Sequence, residues 1–208
     1  MEIKTIAVVG ASELGCTLAH ASLLAGYRTI LEDISPSALE QGIAGIAQAF
    51  GDDHGRGKID LAVRGTALAN LTTANSAEDA SREADLIIET VSDEMEMKIE
   101  LFTIFDKFAK PGAILASTTA SLSITDLAAV TFCPERCIGM RLIANGQIAA
   151  HLELVKGRET SEETILACRE VGRRMRREVS VLSDKEIVPA STIDRILPNG
   201  ERRQRASC

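Results

Sequence analysis

Strand-like and helix-like segments alternate along the first part of the chain, and this alternation limits the folds that the chain can adopt. Short apolar runs, often β-branched, occupy positions 3–9, 29–31, 85–91 and 113–118, and each precedes a stretch with helical character. Runs that are apolar at successive positions are typical of strands buried on both faces. Because strand–helix–strand connections are right-handed, this order predicts a parallel sheet with helices on both faces.

The second helical segment is the longest, and cap residues indicate its start. Ser35 is a typical N-cap and Pro36 a typical first residue of a helix. The segment is predicted to end near Phe50, because the sequence "GDDHGRGKID" follows. A further helical stretch then completes an antiparallel helical arm over residues 36–69.

The pattern changes after residue 136. The segments "CIGMRLI", "HLELVKG" and "VSVLSD" are predicted strands, with one helix over residues 162–177 between the last two. They are expected to extend the same sheet. The predicted fold class is therefore α/β: a Rossmann-type, doubly wound and mostly parallel sheet with helices on both faces. We expect residues 1–190 to form this domain and residues 191–208 to form a C-terminal tail.

Composition excludes several classes of function. The net charge of −7 argues against a nucleic-acid surface. The apolar runs are too short to cross a bilayer, and the N-terminal "MEIKTIAVVG" has no signal-peptide pattern, so we expect a cytoplasmic protein without a membrane partner. The five cysteines form no C-x-x-C pair and have no histidine at zinc-ligand spacing. Neither a metal site nor a disulfide framework is predicted.

The segment "VVGASELG", residues 8–15, has the form of a dinucleotide-binding turn. In such a turn the first glycine permits a tight bend, the second lets the backbone approach the pyrophosphate, and the third lets helix and strand pack closely. Gly10 and Gly15 occupy the first and third positions, but Ser12 occupies the second. Glu13 adds a carboxylate at the helix N-terminus, where a pyrophosphate would otherwise bind. The turn predicts nucleotide binding, weakened by Ser12 and Glu13.

An acidic residue after the second strand supports the same prediction. Asp33 follows Gly15 by 18 positions, close to the spacing of the acid that hydrogen-bonds an adenosine ribose. A carboxylate there would repel the additional phosphate of NADP. NAD is therefore the predicted cofactor, and a small-molecule dinucleotide is the predicted partner.

Five segments, in one order along nearly the whole chain, resemble the NAD-binding domain of the 3-hydroxyacyl-CoA dehydrogenases: "IAVVGASELGCTLAHASLLAGYRTILEDIS", "ADLIIETVSDEMEMKIELF", "GAILASTTASLSITDLA", "PERCIGM" and "HLELVKG". The resemblance implies hydride transfer from the 3-hydroxyl of an acyl-CoA to NAD. It also implies a second, all-helical domain that closes over the acyl chain and forms the dimer. Residues 191–208 correspond to the start of that domain, so we expect most of the substrate cleft and the usual dimer contact to be missing.

The same resemblance extends the cofactor site beyond the turn. Asp93 and Lys98 match positions that line the nicotinamide half of the cofactor, and Thr90 follows the strand end where the cofactor backbone passes. With the turn residues, the predicted cofactor-binding set is Gly10, Ser12, Glu13, Leu14, Gly15, Asp33, Thr90, Asp93, Lys98 and Thr118.

The catalytic positions implied by the resemblance are mostly changed. Glu153 matches the family's acid and is retained. Ala120 stands at the working serine, Arg141 at the histidine base and Ser191 near an asparagine beside the substrate, while Thr118 replaces another asparagine. An arginine stays protonated at any working pH and cannot accept the hydroxyl proton of an alcohol. We expect Arg141 to form an ion pair with Glu153 instead.

Two functions from different classes remain open. The first is an NAD(H)-binding protein that lacks the family's dehydrogenase mechanism and acts by interaction or regulation. The second is an active NAD-dependent oxidoreductase whose anionic substrate, a 3-hydroxyacyl-CoA or another hydroxy acid, pairs with Arg141. A homo-oligomer built through an interface other than the family's could then supply a base from a neighbouring chain. Among the three histidines, His151 alone is predicted to approach the site, because it shares a strand face with Glu153.

Overall fold

The computed structural model of the chain describes residues 2–145 and 148–184. Its strands are β1 (Thr5–Val9), β2 (Arg28–Glu32), β3 (Leu71–Ala74), β4 (Leu86–Glu89), β5 (Ile114–Ser117), β6 (Cys137–Asn145), β7 (Ile148–Lys156) and β8 (Glu178–Ser183). Its α-helices are α1 (Glu13–Leu24), α2 (Pro36–Gly55), α3 (Leu61–Ala69), α4 (Ala77–Glu83), α5 (Met95–Phe108), α6 (Ile124–Ala128) and α7 (Glu162–Arg174).

All eight strands of the described part of the chain form one sheet, in the order β3-β2-β1-β4-β5-β6-β7-β8. The six strands from β3 to β6 are parallel to one another. β7 is antiparallel to β6, and β8 is parallel to β7. The predicted fold class is confirmed, and the segments after residue 136 extend the sheet as expected.

Helices cover both faces of the sheet and enclose two apolar cores. One core contains buried residues of α1, α2 and α7, among them Leu18, Phe50 and Val171. The other contains buried residues of α4, α5 and α6, among them Ala80, Phe102 and Leu127. Burial of both sheet faces explains why β1, β4 and β5 read as continuous apolar runs. None of the helices in residues 2–145 and 148–184 is long and apolar enough to cross a lipid bilayer.

The helical arm differs from its prediction at one boundary. Ser35 caps α2 as expected, since its hydroxyl accepts a hydrogen bond from the Ala38 amide at 3.3 Å. The predicted end near Phe50 is wrong, because α2 continues to Gly55. Asp52 accepts a hydrogen bond from the Gln48 side chain one turn earlier at 2.9 Å, which supports the added turn. The break comes at Gly57, whose φ of 69° is a left-handed conformation.

Candidate nucleotide and substrate site

The order of the strands in the sheet reverses at β1, and the carboxyl ends of β1, β2 and β4 meet there. Val9, the last residue of β1, lies opposite Glu32 of β2 on one side and opposite Glu89 of β4 on the other. In open parallel sheets, ligands bind in the crevice outside the strand ends at this reversal point. The glycine-rich turn and the predicted cofactor residues all belong to segments that begin at this edge.

Gly10 and Gly15 have the geometry that their positions in the motif require. Gly10 has φ 108°, and a Cβ atom there would lie 2.8 Å from the Thr90 hydroxyl oxygen. A Cβ atom on Gly15 would overlap the carbonyl oxygen of Gly10. The buried Thr90 hydroxyl donates to the Val9 and Gly10 carbonyls at 3.0 and 2.9 Å, which ties the turn to the end of β4. Both glycines therefore permit close backbone packing.

Ser12 acts as the N-cap of α1. Its hydroxyl accepts a hydrogen bond from the Gly15 amide at 3.2 Å and donates to the Thr90 carbonyl at 3.4 Å. This bond occupies one of the amides that a helix N-terminus offers to a phosphate. Within residues 2–145 and 148–184, the amides of Ser12, Glu13 and Leu14 have no hydrogen-bond partner. These three amides could bind a pyrophosphate.

Asp33 lies beside the turn and uses both carboxylate oxygens to hold the backbone. Oδ2 accepts from the Ala11 amide and Oδ1 from the Ser35 amide, both at 2.8 Å. The next residue, Ile34, is 89% exposed. An exposed isoleucine beside a carboxylate is a surface on which the face of an adenine ring could pack. The sequence prediction did not include Ile34, since an apolar residue in a loop carries no pattern that distinguishes it.

Glu32, the last residue of β2, is a second acid at this end of the crevice. It is 5% exposed, and burial raises the pKa of its carboxyl to about 7, with further contributions from the charges of Asp33 and Glu78. The sequence prediction did not include Glu32. A charged residue that closes an apolar strand is a signal for such a buried acid, although it does not indicate a shifted pKa.

A buried cluster of polar side chains lies next to the glycine-rich turn, at the ends of β4 and β5. Lys98 is fully buried, and its ammonium group lies 2.7 Å from both carboxylate oxygens of Glu89. Lys98 thus lies beneath the crevice and presents no exposed surface to a ligand. Asp93 is nearer the surface, 3.7 Å from the Lys98 ammonium. Burial alone would raise the pKa of Asp93, but hydrogen bonds from Thr119 and Ser121 and the charge of Lys98 lower it.

The loop after β5 contains two of the predicted site residues. The Thr118 amide donates to the Glu89 carbonyl at 3.0 Å, which continues the β4–β5 ladder. The Ala120 amide donates to Asp93 at 3.2 Å. Ala120 is exposed at this edge, so the structure places a methyl group where the resemblance implies a serine hydroxyl.

Arg141 and Glu153 lie opposite each other on β6 and β7, and their side chains form the predicted ion pair. The guanidinium Nη1 and the carboxylate Oε2 are 3.7 Å apart, and the two side chains are 20% and 22% exposed. Ser191, the remaining predicted position, lies outside the described residues. The pair can bind an anion through Arg141, but the guanidinium cannot take up a proton from a substrate.

The histidines occupy three separate places. His151 follows the same face of β7 as Glu153, and its Nε2 lies 2.7 Å from the Ser180 hydroxyl of β8. His20 lies in α1 with its ring centroid 4.4 Å from that of Phe50. His54 contacts the Ile59 carbonyl in the helical arm through Nδ1, at 3.1 Å. Only His151 is on the strand that carries Glu153.

The strand order, the two glycines and the adjacent acid define a dinucleotide-binding protein of the Rossmann class. Residues 5–186 match the family profile described as 3-hydroxyacyl-CoA dehydrogenase, NAD binding domain. The chain belongs to this family, as the resemblance implied, and NAD binding is the property that its domain carries.

Curated relatives and solved structures agree with this assignment. A probable 3-hydroxybutyryl-CoA dehydrogenase of Bacillus subtilis is 33% identical over 184 residues, which cover 88% of this chain and 64% of the relative. A 3-hydroxybutyryl-CoA dehydrogenase of Bradyrhizobium diazoefficiens is 33% identical, with 94% and 65% covered. The crystal structure of the (S)-3-hydroxybutyryl-CoA dehydrogenase of Ralstonia eutropha superposes with a TM-score of 0.82 at 29% identity, covering 88% of this chain and 64% of that one. The chain thus spans slightly less than two thirds of these proteins.

Proposed function

We propose that this protein binds NAD(H) in the crevice at the end of β1 and lacks the dehydrogenase mechanism that the resemblance implies. The observation that carries the proposal is the Arg141–Glu153 pair, in which a permanent cation faces the retained acid at 3.7 Å. Oxidation of a secondary alcohol needs a group that accepts the hydroxyl proton, with a pKa near the working pH. A guanidinium has no such capacity. Ala120 removes the second polar group by replacing a hydroxyl with a methyl.

The preference for NAD over NADP is part of the same proposal. Asp33 stands beside the turn, and the carboxyl of Glu32 adjoins it at the same strand end. A phosphate on the adenosine ribose would be brought close to both acids. Repulsion between the Asp33 carboxylate and this phosphate would disfavour NADP.

A second candidate is an active oxidoreductase that uses other residues on an anionic substrate. Two observations favour it: the Arg141 side chain is 20% exposed, and His151 is hydrogen-bonded to Ser180 on the same side of the sheet as Glu153. Arginine binds carboxylates and phosphates well, so a hydroxy acid or an acyl-CoA has the appropriate charge. The relatives named above suggest 3-hydroxybutyryl-CoA as the first substrate to test.

Two measurements separate the candidates. Calorimetric titration with NADH and, separately, NADPH tests the binding site, and we expect much tighter binding of NADH. Incubation with NAD and 3-hydroxybutyryl-CoA, followed through the absorbance of the NADH formed, tests the chemistry. We expect no turnover, with the Bacillus subtilis relative as the positive control. Turnover would replace the first candidate by the second, whereas absence of NADH binding at millimolar concentration would refute both.

A further inference from the structure

The carboxylate of Glu89 is the centre of a buried hydrogen-bond network at the end of β4. It is fully buried and accepts hydrogen bonds from the Val91 amide at 2.6 Å and the Ser117 hydroxyl at 2.6 Å. The Lys98 ammonium donates to both of its oxygens at 2.7 Å. One side chain thus joins the end of β4, the end of β5 and the first turns of α5.

Two routes lead from Glu89 to the loop that follows β5. In the first, the Ser117 hydroxyl that donates to Glu89 accepts a bond from the Thr119 amide at 3.2 Å. In the second, the Lys98 ammonium lies 3.7 Å from Asp93, which accepts bonds from the Ala120 amide at 3.2 Å and the Ser121 hydroxyl at 2.9 Å. The loops after β4 and after β5 are therefore held relative to each other by Glu89, together with Asp93.

Burying such a pair has a large desolvation cost, which only good geometry and further hydrogen bonds offset. Two apolar residues of similar size often stabilise a fold equally well. A contribution to stability is therefore weak evidence for why Glu89 and Lys98 are present. The other end of β4 offers a comparison, because Asp85 also binds backbone amides there, those of Lys4 and Thr5, both at 2.8 Å. That acid lies at the opposite edge of the sheet, away from the crevice.

We propose that Glu89 is a positioning residue for the nicotinamide end of bound NAD(H). This inference rests on the proposed function. If the adenosine lies at Asp33 and the pyrophosphate at the start of α1, the nicotinamide end extends over β4 and β5, because a dinucleotide crosses the reversal point of the sheet. Glu89 holds the two loops that flank this end and does not touch the adenosine half. Its loss should therefore weaken recognition of the nicotinamide and spare that of the adenosine.

The test compares NADH with ADP-ribose, which lacks the nicotinamide ring. Both are titrated calorimetrically against the wild type, Glu89→Gln and the double variant Glu89→Gln/Lys98→Met. The double variant removes both buried charges, whereas the single variant leaves the buried Lys98 ammonium without the carboxylate of Glu89. We expect NADH affinity to fall about tenfold while ADP-ribose affinity changes less than about twofold. Asp85→Asn is the matched control, and it should leave the ratio of the two affinities unchanged.

Other results would overturn the inference. If both ligands lose affinity equally in the double variant, Glu89 serves only the stability of the fold. The same conclusion follows if Asp85→Asn changes the ratio as much as the Glu89 variants do. If neither variant folds, Ser117→Ala removes a single hydrogen bond to Glu89, and an unchanged ratio there refutes the proposal. If the wild type binds neither ligand, the proposed function is refuted. If the wild type binds both, the proposed function stands, and the variants test only the role of Glu89.

Discussion

The two halves of the crevice differ in what the chain has kept. At the nucleotide half, between β1, β2 and β4, the required features are backbone features: the left-handed φ of Gly10, the space at Gly15 and the amides at the start of α1. At the substrate half, on β6, β7 and the loop after β5, the required features are single side chains, and the resemblance implies a base at Arg141 and a hydroxyl at Ala120. Under the proposed function, backbone geometry persists while the chemistry beside it changes.

The two halves differ because the features of the nucleotide half make more contacts with the rest of the fold. Gly15 packs against the Gly10 carbonyl and the Thr90 hydroxyl, so its replacement disturbs the sheet as well as the site. The Arg141–Glu153 pair joins two neighbouring strands, β6 and β7, and its side chains are partly exposed. A change there leaves the core intact. The nucleotide half is therefore constrained by folding, and the substrate half only by function.

The largest effect on stability is expected at Gly15, and its substitution tests whether folding constrains the nucleotide half. Gly15→Ala places a Cβ atom within overlap of the Gly10 carbonyl and 2.8 Å from the Thr90 hydroxyl oxygen. Overpacking against backbone should lower the free energy of unfolding by about 3 kcal/mol, measured by urea denaturation. Gly45→Ala in α2 is the matched control, since a Cβ atom there meets nothing within 4 Å. It should raise stability by about 0.5–1 kcal/mol. Equal effects of the two variants would contradict the packing role of Gly15.

A smaller effect is expected at the acid that braces the turn. Asp33→Ala removes the acceptor of the Ala11 and Ser35 amides, each bound at 2.8 Å. Leaving these amides without partners should cost about 2 kcal/mol of stability. The preference of the protein for NADH over NADPH should narrow as well, because the repelling carboxylate is gone. The control Asp60→Ala removes the N-cap of α3 and should cost about 1 kcal/mol without changing the preference. If Asp33→Ala prefers NADH over NADPH as strongly as the wild type does, another group discriminates between the two cofactors.

The sequence predicted the order of the elements and the glycines of the turn from local patterns, and the Arg141–Glu153 pairing from the family resemblance. It did not predict the buried cluster around Glu89 or the shifted pKa of Glu32. Both depend on groups that strands and helices distant in the sequence bring together, and no short segment indicates this proximity. The end of α2 was misplaced for a related reason: Asp53 lies 3.3 Å from His20 of α1, a tertiary contact that a local reading of "GDDHG" cannot include.

A third test uses the pH dependence of stability. The pKa of Glu32 rises from its ordinary 4.5 to about 7 in the folded chain, mainly through burial. Between these values the folded chain binds more protons than the unfolded chain, so stability falls as pH rises. Glu32→Gln should remove this slope and raise stability at pH 8 by about 1–2 kcal/mol, less than the full pKa change implies because water at the sheet edge screens the charge.

The measurement for Glu32 is urea denaturation of wild type and Glu32→Gln at several pH values. The lowered pKa values of Asp85, Asp93 and Asp184 act in a separate window, since their stabilisation is lost only as the solution becomes strongly acidic. Parallel curves for the two proteins across pH 5 to 8 would show that Glu32 titrates normally, contrary to its burial.

The smallest effect is expected at the substrate half. Arg141→Gln breaks an ion pair whose side chains are about one fifth exposed and whose charged atoms are 3.7 Å apart. Such pairs contribute only about 0–1 kcal/mol, so unfolding should change little. NADH affinity should stay within about twofold of the wild type, because Arg141 lies on β6, beyond the strands that hold the dinucleotide. Glu153→Gln is the matched control, since it breaks the same pair while keeping the cation. If Arg141→Gln weakens binding of NADH tenfold and Glu153→Gln does not, the guanidinium contacts the cofactor itself, and the two halves of the crevice are not independent.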